Sequence, residues 1–173
     1  MELSKAIFSR CSCRSYTAEA VSEEQLNAVL AAANAAPVGM GAYQTVHLTV
    51  IRSKEFISAL SKATCEFMKR DGDPLYGAPV LVLVSAKPGM PPAIEFHNTG
   101  TIMENMLLTA TDLGLGSVYL MGAVAALNSK PELVAKLGLP EGFVPIAAAA
   151  IGHAAQPAAE RAPQNKIVTA YLD

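Results

Sequence analysis

Residues 93–116 read AIEFHNTGTIMENMLLTATDLGLG. Wound as an α-helix, this stretch carries apolar side chains around much of its circumference, and a helix of that kind is buried rather than laid on a surface. The segment DLGLGSV (112–118) at its end faintly resembles a dinucleotide fingerprint. It follows a helix and precedes a strand, the reverse of the order that motif requires. Gly114 and Gly116 are therefore read as the cap that stops the helix.

Working outward, SVYLMG (117–122) follows as a strand, and NSKPELVAKLGLPEG (128–142) as a helix with Pro131 in its first turn and Gly138 near its end. FVPIAAAAIGH (143–153) is an apolar strand. Upstream, the unbroken apolar run APVLVLVSA (78–86) reads as a central strand. The β-branched TVHLTVI (45–51) is another strand. Two helices flank TVHLTVI in sequence. VSEEQLNAVLAAANAAP (21–37) has Ser22 and Gln25 at capping-box spacing and ends at Pro37, and SKEFISALSKATCEFMKR (53–70) is opened by Ser53. A short helix, ELSKAIFSR (2–10), starts the chain, and KPGMPP (87–92) is a loop. The proline-bearing tail ends in a β-like KIVTAYL (166–172). Helices precede the first strand, so the pattern predicts a mixed sheet with helices on both faces rather than a β-α alternation.

The 173 residues are enough for one domain with a real core. Hydrophobic residues make up 51% of the chain and mean hydropathy is +0.31. That surplus of apolar surface argues for an oligomer over a monomer. A net charge of −2 with no Lys/Arg block gives no footprint for nucleic acid or an anionic membrane. The N-terminus is not a signal peptide, and the apolar run Val144–Gly152 is too short to span a bilayer, so a soluble, cytoplasmic protein is expected. Three cysteines do not suggest a disulfide framework.

The chemistry candidates begin with SRCSCRSY (9–16). In an extended segment Arg10, Ser12 and Arg14 share one face and Cys11 and Cys13 the other. Two guanidiniums and a hydroxyl on one face suit a phosphate, while a solvated basic turn is the plainer reading. Cys11, Cys13, Cys65, His47, His97 and His153 are scattered without a ligand pattern, so no metal site is expected. The small-residue loop APVGMGAYQ (36–44) could bring backbone amides close to a flat ring, or it is simply a turn. Arg161 stands alone in a weakly charged tail.

Taken in order, these segments resemble the nitroreductase family of FMN-dependent oxidoreductases over nearly the whole chain. SRCSCRSY is similar to its R-x-S-x-R opening. VSEEQLNAVLAAANAAP resembles the helix leading to the flavin loop, and VGMGAYQTVHLTVI (38–51) sits where the family has P-S-x-x-N-x-Q-P-W. MENMLLTATDLGLGSVYLMG (103–122) resembles the long central helix and its Gly-Leu-Gly end. LGLPEGFVPIAAAAIGHAAQP (137–157) and ERAPQNKIV (160–168) are similar to the family's closing segments.

The resemblance implies an α+β, nitroreductase-like three-layer sandwich, with a mixed, mostly antiparallel sheet and helices on both faces. It implies a single domain over residues 1–173 in a tail-swapped homodimer with flavin sites at the interface. Arg10, Ser12 and Arg14 would hold the FMN phosphate and ribityl chain, with Arg161 closing over the phosphate. Pro37, Val38 and Gly39 would reach in from the partner subunit, and Gln44 falls on the family's loop glutamine. Met121 and Gly122 would present backbone near flavin N5. The implied activity is ping-pong hydride transfer from NAD(P)H through N5 to a quinone, nitroaromatic or similar small acceptor. No side chain need act as acid or base, so no catalytic residue is assigned. Phe96, His97 and Tyr119 are candidates for shaping the acceptor pocket. The departures are Ala42 in place of an Asn, Thr45 and Val46 in place of Pro-Trp, and no lysine after Lys69 and Arg70 for the ring's pyrimidine edge. They keep open an FMN-binding protein without turnover. The resemblance is also compatible with a flavin-fragmenting or dehalogenating member of the family, and Cys11 and Cys13 with a thiol-redox protein.

Overall fold

The computed structural model describes residues 1–156, 158, 161–164 and 166–172. Pro157, Glu160 and Asn165, which fall within the two closing segments quoted above, lie outside the described residues.

Capping chemistry starts the helices where the sequence places it. Helix α1 is Leu3–Ser9 and α2 is Glu23–Asn34. At α2 the Ser22 hydroxyl accepts from the Gln25 amide at 3.1 Å while Gln25 Oε1 accepts from the Ser22 amide at 3.0 Å, a complete capping box. Strand β1 is Val46–Ile51 and α3 is Lys54–Met68, whose cap Ser53 accepts from the Phe56 amide at 3.2 Å. Strand β2 is Val80–Ala86 and the central helix α4 is Ile94–Asp112. Gly114 ends α4 at φ +75°, with the Leu115 amide bonded to the Ala110 carbonyl and the Gly114 amide to that of Thr111. This is a Schellman cap, so Gly114 has a structural task and no nucleotide need be invoked.

Strand β3 is Gly116–Leu120, shorter than the reading from sequence. Met121 and Gly122 open a helix, α5 (Met121–Asn128), because MGAVAALN is rich in the good helix formers Ala, Leu and Met. The long helix expected over 128–142 contracts to α6, Pro131–Ala135. Strand β4 is Val144–Gly152.

The four-stranded sheet has the order β1-β2-β4-β3. The expected mixed, mostly antiparallel sheet resolves into strands that all pair antiparallel, plus one isolated parallel bridge, Ser12 to Ser117. Among the described residues the tail over 166–172 forms no strand within the chain, since a strand needs an edge to pair with and none is beside it. Both faces of the sheet are covered. On one face Val80, Val82, Val84, Ala147 and Ala149 pack with Leu26 and Val29 of α2 and Met103 and Met106 of α4. On the other, Leu81, Leu83, Ala148 and Ala150 pack with Leu60 of α3 and Val124 and Leu127 of α5. That alternation makes three layers and leaves β1 and β3 as the edges.

Candidate functional site

The edge of β3 carries the first group of candidates. Beyond α1 the chain turns at Arg10 (φ −57°, ψ 121°) and runs extended along that edge. The Cys13 amide bonds to the Ser117 carbonyl at 2.9 Å, the Thr17 amide to that of His153 at 2.8 Å and the Ala155 amide to that of Ser15 at 3.0 Å. Tyr16 ends the segment as a peg whose hydroxyl donates to the Ala150 carbonyl at 3.2 Å. Burial, reinforced by the nearby Cys13 thiol, pushes that hydroxyl far above the ordinary tyrosine range, so it stays a neutral donor. From Ser12 to Arg14 the side chains alternate, whereas Cys11, expected on the packed face, is exposed. Cys13 packs against Gly116, where a Cβ would stand 2.6 Å from its Sγ, while Ser12 and Arg14 are exposed. Arg10 is half-buried, its Nε 3.5 Å from Glu104 Oε1 of α4. That ion pair uses the inner nitrogen and leaves the terminal fork for another acceptor.

At the far end of the same strand, Met121 is exposed and Gly122 lies against Met68, whose Sδ would be 3.0 Å from an added Cβ. Ser117 and Met121 are four residues apart, ~13 Å at the usual strand rise. Tyr119 sits between them, partly exposed, and burial raises its hydroxyl above the ordinary range. The strand thus carries paired cations at one end and bare backbone at the other.

The loop 37–45 lies elsewhere, against α2 and α4. The Gly39 amide donates to Asn98 Oδ1 at 2.9 Å, and the Thr101 hydroxyl donates to the Pro37 carbonyl at 2.9 Å. Asn105 Nδ2 donates to the Ala32 carbonyl at 3.1 Å. Asn98, Thr101 and Asn105 are the positioning side chains that sequence reading missed. The only signal for them was polar residues on a helix otherwise read as buried. Gly39 approaches α4 so closely that a Cβ would meet Ile94 Cδ1 at 2.8 Å. Val38 is buried in the core, so it offers only its backbone, whereas Pro37 and Gln44 are exposed. Among the described residues no hydrogen bond joins loop 37–44 to segment 10–14 or to Met121 and Gly122. The structure therefore gathers the predicted residues into two groups, not one.

A sequence model of the nitroreductase family matches residues 7–77 and 66–153. The chain belongs to the nitroreductase family. A protein of Archaeoglobus fulgidus named "Putative NADH dehydrogenase/NAD(P)H nitroreductase" is 31% identical over 155 residues, covering 88% of this chain and 85% of that one. A crystal structure of a nitroreductase with bound FMN from Desulfitobacterium hafniense superposes with a TM-score of 0.87 at 26% identity, over the full length of both chains. A second, from Bacteroides fragilis and also with bound FMN, gives 0.82 at 26% identity over 99% of this chain and all of that one.

Two clefts of this family member, of about 350 and 370 Å³, lie away from the β3 edge. The first is between α2 and β1 beneath Tyr43, the second where β1 runs into α3 beside Arg52 and Lys136. Neither is lined by Arg10, Ser12, Arg14 or Met121. Arg161, the remaining predicted residue, lies beside Arg10 and bonds to the end of α1.

Proposed function

We propose that this chain is an FMN-dependent NAD(P)H oxidoreductase that passes reducing equivalents to a small oxidised acceptor such as a quinone or nitroaromatic, and that it works as a homodimer. The observation that carries this is the layout of the β3 edge. Arg10, Ser12 and Arg14 are held by backbone bonds with their polar ends free, and the backbone at Met121–Gly122 lies ~13 Å along the strand. That spacing suits a phosphate at one end and a flat ring at the other, and the donor set suits FMN. Bound there, FMN supplies the two-electron redox chemistry. The residues of the chain bind and orient. Two arginines and a hydroxyl neutralise and fork onto a phosphate. Glu104 restrains Arg10 through its Nε and leaves the terminal nitrogens to the ligand. The space a Cβ would take at Gly122 is filled by Met68, so the exposed Met121 is the part of this backbone offered to the ring.

The dimer reading rests on the tail and on the second group of residues. Ile167, Val168, Tyr171 and Leu172 are between 84% and 101% exposed. Burying each against a second copy is worth ~1.5–3 kcal/mol before ordering costs. Among the described residues loop 37–44, including Gln44, makes no hydrogen bond to the β3 edge of its own chain. A partner subunit would bring Pro37, Val38 and Gly39 to it. Three free thiols accord with a reducing, cytoplasmic setting, and no helix among the described residues is long and apolar enough to cross a membrane.

The test is a visible spectrum of the purified protein, followed by anaerobic NADH and NADPH. A flavin spectrum that either donor bleaches is the expected outcome. A bound flavin that neither donor bleaches would favour a flavin-holding protein without turnover, a reading supported by the lack of polar side chains at Ala42 and Val46. Replacing Cys11 and Cys13 with serine leaves turnover intact on the present reading, and its loss would move the chemistry to the thiols.

A further inference from the structure

Helix α3 ends beside Met121 and Gly122, and that end is cationic. Met68 Sδ lies 3.0 Å from where a Cβ would stand at Gly122. Met68, Phe67 and Met121 leave 45%, 52% and 71% of their surface open there. Lys69 and Arg70 follow at once, both exposed. Among the described residues neither forms an ion pair. Glu66 is held by Lys130 at 3.0 Å, and Asp73 by the Ser61 hydroxyl and the amides of Leu75 and Gly77. Asp71 is then the one unengaged carboxylate of segment 62–73, against Lys62, Lys69 and Arg70.

The turn that carries the two cations is fixed by its backbone. Lys69 is left-handed, at φ 52° and ψ 48°, where glycine is the usual residue. Its amide and that of Arg70, the latter at 3.2 Å, both bond to the Cys65 carbonyl. Cys65 Sγ donates in turn to the Gly72 carbonyl at 3.0 Å. A side chain kept in a conformation that favours glycine points to a use for that side chain.

NADPH differs from NADH only by a phosphate on the adenosine ribose. A donor that lays its nicotinamide near Met121 must rest its adenosine half elsewhere on the surface. Arg10 and Arg14, at the opposite end of β3, are taken by the FMN phosphate on the reading above. The end of α3 adjoins Met121 and offers an exposed aromatic ring for a base and two unpaired cations for a phosphate dianion. We propose that Lys69 and Arg70 hold the ribose phosphate of the donor, beside an adenine resting on Phe67, and make this chain prefer NADPH to NADH. The inference rests on the flavin reading of the β3 edge.

The experiment compares the unaltered protein with K69G, R70Q and the K69G/R70Q pair. The readouts are anaerobic bleaching of bound flavin by NADPH and by NADH, FMN affinity by flavin fluorescence, melting temperature, and calorimetric binding of 2′,5′-ADP against 5′-AMP. The unaltered protein should use NADPH about tenfold better than NADH, the size of one hydrogen bond to a charged group. The pair should bring that ratio close to one, and added salt should lower it in the unaltered protein. K69G should lose preference yet melt no lower, because glycine relieves the left-handed backbone. A helix-capping role alone would move the melting temperature and leave the ratio where it was. Equal use of both donors by the unaltered protein, or a ratio that the pair leaves unchanged, would overturn the proposal. So would a fall in FMN affinity as large as the fall in the ratio, since the cations would then be holding the flavin. If the protein binds no flavin, or neither donor bleaches it, the flavin reading fails by itself and calorimetry decides. Tighter binding of 2′,5′-ADP than of 5′-AMP, abolished in the pair, supports the cation site, and equal binding overturns it.

Discussion

Segment 10–16 and loop 37–45 both follow a helix, both are irregular, and both drew attention in the sequence, yet they are fastened in opposite ways. The first is bonded to the sheet through its own backbone, at Cys13, Thr17 and the Ser15 carbonyl, which leaves Arg10, Ser12 and Arg14 free to act as side chains. The second is held through side chains of α4, Asn98 and Thr101, that occupy its backbone groups. What it turns outward is mostly small or apolar. One region offers chemistry and the other offers shape, so substitutions in the two should fail differently.

The largest effect is expected where the grip meets the sheet. Gly152→Ala would drive a Cβ to 2.6 Å from Pro79 Cδ and 2.8 Å from Tyr16 Cδ1. A proline ring cannot swing aside, so a loss of about 3 kcal/mol is expected in urea unfolding, at the upper end for overpacking. A loss below about 1 kcal/mol, the lower end of that range, would show that Tyr16 is not the peg described. Next, Arg14→Ala should weaken FMN by about 1.5–3 kcal/mol, the range for hydrogen bonds to a charged group. Stability should hardly move, since Arg14 is exposed, and a titration of flavin fluorescence beside a melting curve separates the two. Third, Asn98→Ala strands the Gly39 amide and should cost about 1–3 kcal/mol of stability. Asn98→Asp keeps the acceptor oxygen but buries a charge near Glu95, so it should approach the unaltered protein only at low pH, where the carboxyl is neutral. Equal damage from both at low pH would mean that volume, not the hydrogen bond, holds the loop. The smallest effect belongs to Gly41, at φ +63° with open space around it. Gly41→Ala should cost only ~1–2 kcal/mol, from backbone strain alone.

The elements legible in the sequence are those whose local signals agree with their packing. Ser22 with Gln25, Ser53, and the Gly114 stop each place a helix end because cap chemistry is local. The apolar runs in β2 and β4 announce burial on both faces. Signals failed where the deciding partner is remote. KIVTAYL has strand composition, but its residues stand exposed, away from both edges of the chain's own sheet. LMG looks like the end of a strand until the Ala-rich residues after it are counted as helix. The inward Cys13 between the outward Ser12 and Arg14 was readable because extended backbone has a period of two, although Cys11 is exposed as well. Asn98 and Thr101 were not, since nothing in a helical stretch tells which polar residue will meet a loop far away along the chain.

Alanines 147–150, in a central strand, have a consequence for how the molecule tolerates change. They are almost wholly buried, and they present methyl groups to both layers. On one side the facing helices bring Met103 and Met106, whose long unbranched chains re-pack readily, beside the branched Leu26 and Val29. On the other they bring Leu60, Val124 and Leu127, all branched and less forgiving. One strand therefore has a more yielding face and a stiffer one. Drift in sequence should accumulate at Ala147 and Ala149 while Ala148 and Ala150 stay nearly frozen, a lopsided record written along a single strand.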